Sequence, residues 1–136
     1  MTIFILPIRH IMSSPVVTIG ENALVIEAVR KMMDNDIECL VIPTLDQKVA
    51  GILTFRDIVE KMLSLGRSPA HTKVEEIMTR KVKTCRTTAT VGEVIKMMKK
   101  YRLRRVPVVD ERERLVGIVT NFDVACLGLD VSSQTG

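Results

Sequence analysis

Apolar positions along this chain recur at two spacings, and the two alternate in a fixed order. Val25, Ala28, Val29, Met32 and Met33 stand at i, i+3, i+4, i+7 and i+8, and Val91, Val94, Ile95 and Met98 keep the same rhythm. Each stretch therefore predicts a helix with one apolar stripe. Two short β-rich runs follow each helix, CLVIPT and VAGILT in the first case, RVPVVD and LVGIVT in the second, joined by the polar turns LDQK and ERER. Branched side chains bounded by polar punctuation predict paired strands. A closing helix is predicted from about Arg56 to Leu65 with Gly66 as its stop, and another from about Phe122. An extended lead-in, around 16 to 19 and again around 82 to 85, precedes each first helix.

The order repeats because the sequence does. A shift of 66 positions sets Ile11 and Met12 on Ile77 and Met78, Ala23, Val25 and Glu27 on Ala89, Val91 and Glu93, and Met32 on Met98. Without a gap, Gly51, Ile52, Thr54 and Asp57 then fall on Gly117, Ile118, Thr120 and Asp123. This is an internal duplication. Thr90 and Glu93 predict a capping box for the second copy's helix, whereas Leu24 in Thr90's place requires a different cap. The repeats are read as domains at 8–66 and 74–130, with a linker at 67–73 marked by Gly, Ser and Pro and a flexible tail at 131–136. A repeat of about 60 residues with two or three strands leaves apolar faces uncovered. The copies are expected to pack face to face, and clefts between repeats are common ligand sites.

Composition narrows the function. Hydrophobic residues make up 46% of the 136 residues, enough for a buried core. The apolar run IFIL near the start is too short to span a bilayer and lacks the flanks of a secretory signal, so the expectation is a cytoplasmic protein without a membrane segment. Cys39, Cys85 and Cys126 are widely spaced and suit reduced thiols, Cys85 being expected to be inert. His10 and His71 are the only histidines, and no metal-ligand cluster presents itself. No Ser or Cys has an evident His base and no phosphate-cradling Gly-rich loop occurs, so no enzyme is expected. Met32, Met33, Met97 and Met98 fall on or beside the helix stripes and read as core filling.

Charge divides unevenly. Residues up to 66 hold six Lys/Arg and eight Asp/Glu, and the rest hold fourteen and eight, giving −2 and +6. The second part should attract anions. Its basic run KKYRLRR, 99 to 105, suits a helix C-terminus. It also suits nucleic acid backbone, although one Tyr, three Phe and no Trp offer little surface for base stacking.

The segment GILTFRD at 51 to 57 returns as GIVTNFD at 117 to 123. Thr-x-x-Asp at a helix start is ordinarily a cap. Gly inside a strand, however, weakens it unless another body needs close approach, and here the whole pattern occurs twice. With IMSSPVVTI and IMTRKVKTC opening the copies and RRVPVVD between, the duplicated unit resembles a pair of CBS (cystathionine β-synthase) domains, or Bateman module, over about Ile8 to Leu129.

That resemblance implies an α/β (α+β) fold of two β-α-β-β-α repeats packed with pseudo-twofold symmetry. It implies a regulatory role in which AMP, ADP, ATP or S-adenosylmethionine binds in two clefts. The Asp of each repeated motif would take ribose hydroxyls and the Thr would approach the phosphates. One site would combine Thr54 and Asp57 with Thr84, Cys85, Leu103, Arg104 and Arg105; the other would combine Thr120 and Asp123 with Thr18, Ile19, Ala23, Ile37, Glu38 and Cys39. Arg104 and Arg105 favour a phosphate in the first site, whereas Glu38 disfavours one in the second. A stand-alone sensor, a homodimer formed through the helices and an unidentified regulated protein complete the expectation; a nucleic-acid-associated or scaffolding protein is the alternative.

Overall fold

The computed structural model describes residues 2–127. The tail at 131–136 lies outside them. Helices α1 (Val25–Asn35), α2 (Phe55–Leu65) and α3 (Val91–Tyr101) alternate with strands β1 (Cys39–Pro43), β2 (Val49–Thr54), β3 (Cys85–Arg86), β4 (Arg105–Val109) and β5 (Leu115–Thr120), and residues 121–127 are helical as α4. The hairpins match in register: Cys39 pairs with Thr54 and Ile42 with Gly51 in one, Arg105 with Thr120 and Val108 with Gly117 in the other. Each has an irregularity at the same place, and Gln47 and Glu113 take positive φ of 67° and 65° in the two turns. Before α3, β3 adds a parallel strand to β4, whereas before α1 the same position forms only a bridge from Thr18 to Val41.

The compact units do not coincide with the sequence repeats. One is continuous, 17–82; the other is split, joining 1–16 to 83–136. In the continuous unit Thr79 exchanges both backbone hydrogen bonds with Ile52, each 2.9 Å, and Val25 N donates to Thr72 O at 2.8 Å. In the split unit Ser13 does the same with Ile118 at 2.8 and 3.0 Å, and Val91 N donates to Leu6 O at 2.8 Å. Each lead-in thus begins, in a stretch that ends at Ser13 or Thr79, by completing the hairpin of the other repeat, and its later residues return to their own. Residues 67–73 belong to this packing: Thr72 is buried and its hydroxyl donates to Ser68 O at 2.9 Å.

The strand glycines answer to that exchange. A Cβ at Gly51 would lie 2.8 Å from Met78 Sδ and 2.9 Å from the Thr79 carbonyl oxygen, and one at Gly117 would overlap Met12 Sδ and lie 2.8 Å from its Cγ. Each core forms under its own hairpin, with Val25, Leu40, Ile42, Leu53, Val74 and Ile77 in one and Ile8, Val91, Val94, Val106, Val108 and Val119 in the other, all essentially without exposure. Each such side chain contributes about 1.5–3 kcal/mol.

Helix starts show how the copies diverge. Thr90 Oγ1 accepts the Glu93 N–H at 3.1 Å, the forward half of the expected box; the return bond from Thr90 N to Glu93 is not formed among the described residues. At α1 the halves are reversed: Leu24 offers no side-chain acceptor, and Leu24 N donates to Glu27 Oε2 at 2.9 Å. Gly66 ends α2 at φ 61°, in the left-handed region.

Candidate functional site

The repeated motif turns each hairpin into a helix. Thr54, still extended at φ −105° and ψ 158°, ends β2 and caps α2. Its Oγ1 accepts the Asp57 N–H at 3.0 Å while Asp57 Oδ2 accepts the Thr54 N–H at 3.2 Å. Thr120 and Asp123 repeat the exchange at 3.1 and 2.9 Å. Capping is therefore real at both places. It does not consume the carboxylates, because each cap engages Oδ2 alone.

The two Oδ1 atoms differ. Asp57 Oδ1 lies 3.6 Å from Lys61 Nζ, one helical turn on, and Lys61 also donates to the Ile77 carbonyl at 2.6 Å. Thr79 Oγ1 adds a long contact of 3.5 Å to Asp57 Oδ2. Leu127 stands where Lys61 does and, by the exchange of lead-ins, Ser13 where Thr79 does, so neither counterpart offers Asp123 a cation. Among the described residues Asp123 Oδ1 has no hydrogen-bond or ion-pair partner. A carboxylate oxygen outside the cap is an acceptor without a donor function, suited to the vicinal hydroxyls of a ribose, and the helix N-terminus beside it favours an anion.

The surrounding residues are brought in by backbone pairing. In the continuous unit Phe55 N donates to Glu38 O at 2.8 Å, Cys39 pairs with Thr54, Ile19 N donates to Val41 O at 3.1 Å, and Lys31 Nζ donates to Thr18 O at 2.6 Å. Ile37 N donates to Met32 O at 3.0 Å, and Ala23 O accepts the Val74 N–H at 2.8 Å. In the split unit Asn121 N donates to Arg104 O at 2.8 Å, Arg105 pairs with Thr120, Leu103 N donates to Met98 O at 2.9 Å, and Cys85 pairs with Val108. Thr84, just before β3, is half-buried. Thus Thr18, Ile19, Ala23, Ile37, Glu38 and Cys39 share a unit with Thr54 and Asp57, and Thr84, Cys85, Leu103, Arg104 and Arg105 share one with Thr120 and Asp123.

A cavity of about 450 Å³ opens in the split unit, lined by Cys85, Arg86, Thr88, Ala89, Glu93, Val94 and Met97. Of these only Cys85 was expected at a site; Ala89 could have been found as the counterpart of Ala23. Burial pushes the Cys85 thiol up from 9.0 to about 11, which makes it a poor nucleophile. Among the described residues no group of three or more His, Cys, Asp or Glu could hold a metal ion, and no helix is long and apolar enough to cross a membrane.

Comparison with known proteins assigns the family. Hypoxic response protein 1 of Mycobacterium tuberculosis is 37% identical over 117 residues, 86% of this chain and 81% of that protein. Its namesake structure, Hypoxic Response Protein I with two coordinated zinc ions, has a TM-score of 0.79 at 36% identity and covers 88% of this chain and 96% of that one. A CBS domain pair in complex with 5'-methylthioadenosine and S-adenosyl-L-methionine has a TM-score of 0.81 at 36% identity, covering 90% of this chain and 95% of that one. The L-aspartate semialdehyde sulfurtransferase of Methanocaldococcus jannaschii is 35% identical over 120 residues, which are 88% of this chain but 23% of that enzyme. The CBS domain family model matches residues 8–64 and 74–127, and the chain belongs to the CBS domain family as a tandem pair.

Proposed function

We propose that this chain is a regulatory sensor whose Asp57 and Asp123 receive the ribose hydroxyls of an adenosine nucleotide or S-adenosylmethionine. The observation that carries the reading is the doubled Thr-x-x-Asp cap, which satisfies the helix start through one carboxylate oxygen and leaves the other outside it. A relative 36% identical to this chain binds adenosyl compounds, which supports the ligand class. The remaining residues implied by the family resemblance, Thr84, Cys85, Leu103, Arg104 and Arg105 for the ligand at Asp57, and Thr18, Ile19, Ala23, Ile37, Glu38 and Cys39 for the ligand at Asp123, are part of this proposal. Lys61 beside Asp57 strengthens the ranking of the two: an anionic AMP, ADP or ATP suits Asp57, and a less anionic adenosyl ligand suits Asp123.

The chain acts without catalysis: its ligand binds one arrangement of it more tightly than another, and the shift in arrangement signals occupancy to a partner protein. It works in the cytoplasm as a homodimer. Phe55, Val59 and Leu63 form an exposed apolar stripe on α2 at i, i+4 and i+8, beside buried Ile58 and Met62, and an apolar face of that kind favours association. The nucleic-acid alternative is weaker because the Tyr101 ring already carries the Lys83 ammonium 4.3 Å from its centroid.

Calorimetric titration with AMP, ADP, ATP and S-adenosylmethionine, with GTP as control, tests the reading. Saturable micromolar binding, about −8 kcal/mol, of an adenosyl ligand is expected. Absence of heat with all of them, on folded ligand-free protein, would overturn it.

A further inference from the structure

Glu27 and Lys31 in α1 stand where Glu93 and Met97 stand in α3, 66 positions on. In the continuous unit both charged groups are engaged. Glu27 Oε2 accepts the Leu24 N–H at 2.9 Å, and Lys31 Nζ donates to the Thr18 carbonyl at 2.6 Å. The aliphatic stem of Lys31 therefore runs from α1 to the carbonyl just before Ile19, the counterpart of Cys85. In the split unit Thr90 Oγ1 makes the cap, accepting the Glu93 N–H at 3.1 Å. Glu93 is exposed, and its carboxylate has no hydrogen bond or ion pair among the described residues. Met97 brings no ammonium, and the cavity of about 450 Å³ opens beside it.

The lining of that cavity selects for a cation. Cys85, Ala89, Val94 and Met97 make it apolar, and Arg86 and Glu93 are its charged groups. Arg86 already donates to Glu113 and to the Glu111 carbonyl, so Glu93 carries the one lining charge without a partner. The start of α3 offers an anion little, because the Val91 N–H goes to Leu6 O and the Glu93 N–H to Thr90 Oγ1. An apolar hollow with a few convergent polar groups, within the usual range of about 300–1,000 Å³, is the ordinary form of a small-molecule site. It is not the capped motif of its own unit. Cys85 and Arg86 pair with Val108 and Val109, whereas Thr120 pairs with Arg105 at the other end of β4, about 10–13 Å away at the rise of a strand. Of the residues proposed for the adenosyl ligands, Cys85 alone lines it.

We propose that this cavity binds a linear aliphatic amine, a primary ammonium on a chain of about four carbons like the stem of a lysine. Its ammonium is held by the Glu93 carboxylate and by the carbonyl of Thr84, the counterpart of the one that Lys31 reaches, in charge-assisted hydrogen bonds. Its chain lies on Ala89, Val94 and Met97. What the continuous unit supplies from its own side chain, the split unit takes from solution.

The test is titration of the full chain, with its methionine methyl groups labelled for NMR, with n-butylamine and with 1,4-diaminobutane near pH 7, where primary amines are protonated. The expected result is a saturable shift of the Met97 methyl resonance in the millimolar range or tighter. n-Butanol, which has the chain without the charge, and ammonium chloride, which has the charge without the chain, should bind far more weakly. Glu93→Gln is expected to weaken amine binding at least about tenfold, the loss of one charge-assisted bond. Met97→Lys, which copies Lys31 into the split unit, should abolish it in calorimetry. Thermal unfolding shows that both variants are folded. Neither amine shifting Met97, n-butanol binding as tightly as n-butylamine, or Glu93→Gln binding amine like the wild type would each overturn the proposal. If AMP or S-adenosylmethionine shifts Met97 and the amines do not, the cavity belongs to the adenosyl ligand and the proposal is likewise overturned. Adenosyl binding measured on the same proteins stands or falls separately, because neither Asp57 nor Asp123 is changed.

Discussion

The continuous and split units are two solutions of one folding problem, and they differ almost only where the backbone does not need them to agree. Strand register, turn conformation, helix stop and the exchanged lead-in are held in common. The carboxylate environment, the helix cap and the charge of the α-to-β turn are not. The contrast shows which residues the architecture demands and which it leaves free to differ, and the proposed ligand ranking rests on the latter.

The glycines give the sharpest way to break the likeness. Gly51→Ala is expected to lose about 2–3 kcal/mol in urea unfolding, because overpacking against a fixed carbonyl has no cheap escape, and Met78→Ala should not rescue it while Thr79 O stays 2.9 Å away. Gly117→Ala meets only the Met12 side chain among its three nearest contacts, so it should cost less, and Met12→Ala should recover part of that loss. Equal losses with equal rescue would mean that the strand approach is the same in both units.

Ligand affinity comes next. Asp57→Ala is expected to weaken AMP, ADP or ATP binding about ten- to hundredfold, as expected for loss of a charge-assisted hydrogen bond. Asp123→Ala should act less on these nucleotides and more on S-adenosylmethionine. Calorimetry showing identical effects would remove the proposed ranking.

A smaller difference is set by pH. Cys85 is neutral when protonated, and its thiol in the folded protein stands near 11 against 9.0 for a free one. The folded state holds the proton longer, so this contribution is complete below pH 9 and is lost as pH rises toward 11, by about 1.4 kcal/mol at pH 10. Its counterpart Ile19 has nothing to titrate. Cys85→Ile should therefore flatten the stability profile between pH 9 and 11; an unchanged slope would reject the assignment. The cap completes the series: Thr90→Ala should cost about 1 kcal/mol, whereas Leu24→Ala should not remove a cap bond.

Much of this was legible beforehand because it is local. VAGILT and LVGIVT became β2 and β5 to the residue, and Gly66 stops α2 as its lack of a Cβ allows. The need for glycine at 51 and 117 was also legible, but not what approached it. Met78 and Met12 reach those strands from the other repeat's lead-in, a long-range pairing that no local period encodes. For the site, the acceptor carboxylates were visible in the motif. Lys61, four residues after Asp57, was overlooked although helical spacing alone puts the two on one face. Thr79 could not have been placed without the exchange. The cavity at Ala89 had a signal in the repeat alignment, while the half-formed caps at Leu24 and Thr90 depended on side-chain rotamers, which the residue pattern does not fix.

The exchanged lead-in also means that the heritable module and the foldable module are out of phase by sixteen residues. A gene fragment cut at the repeat boundary, 1–66, would carry one hairpin without the segment that bridges to it and one such segment without its hairpin. A fragment cut at 17–82 would carry every partner named for the continuous unit. Exchange of segments between related chains should therefore be tolerated at 16/17 and 82/83 and not at the repeat boundary.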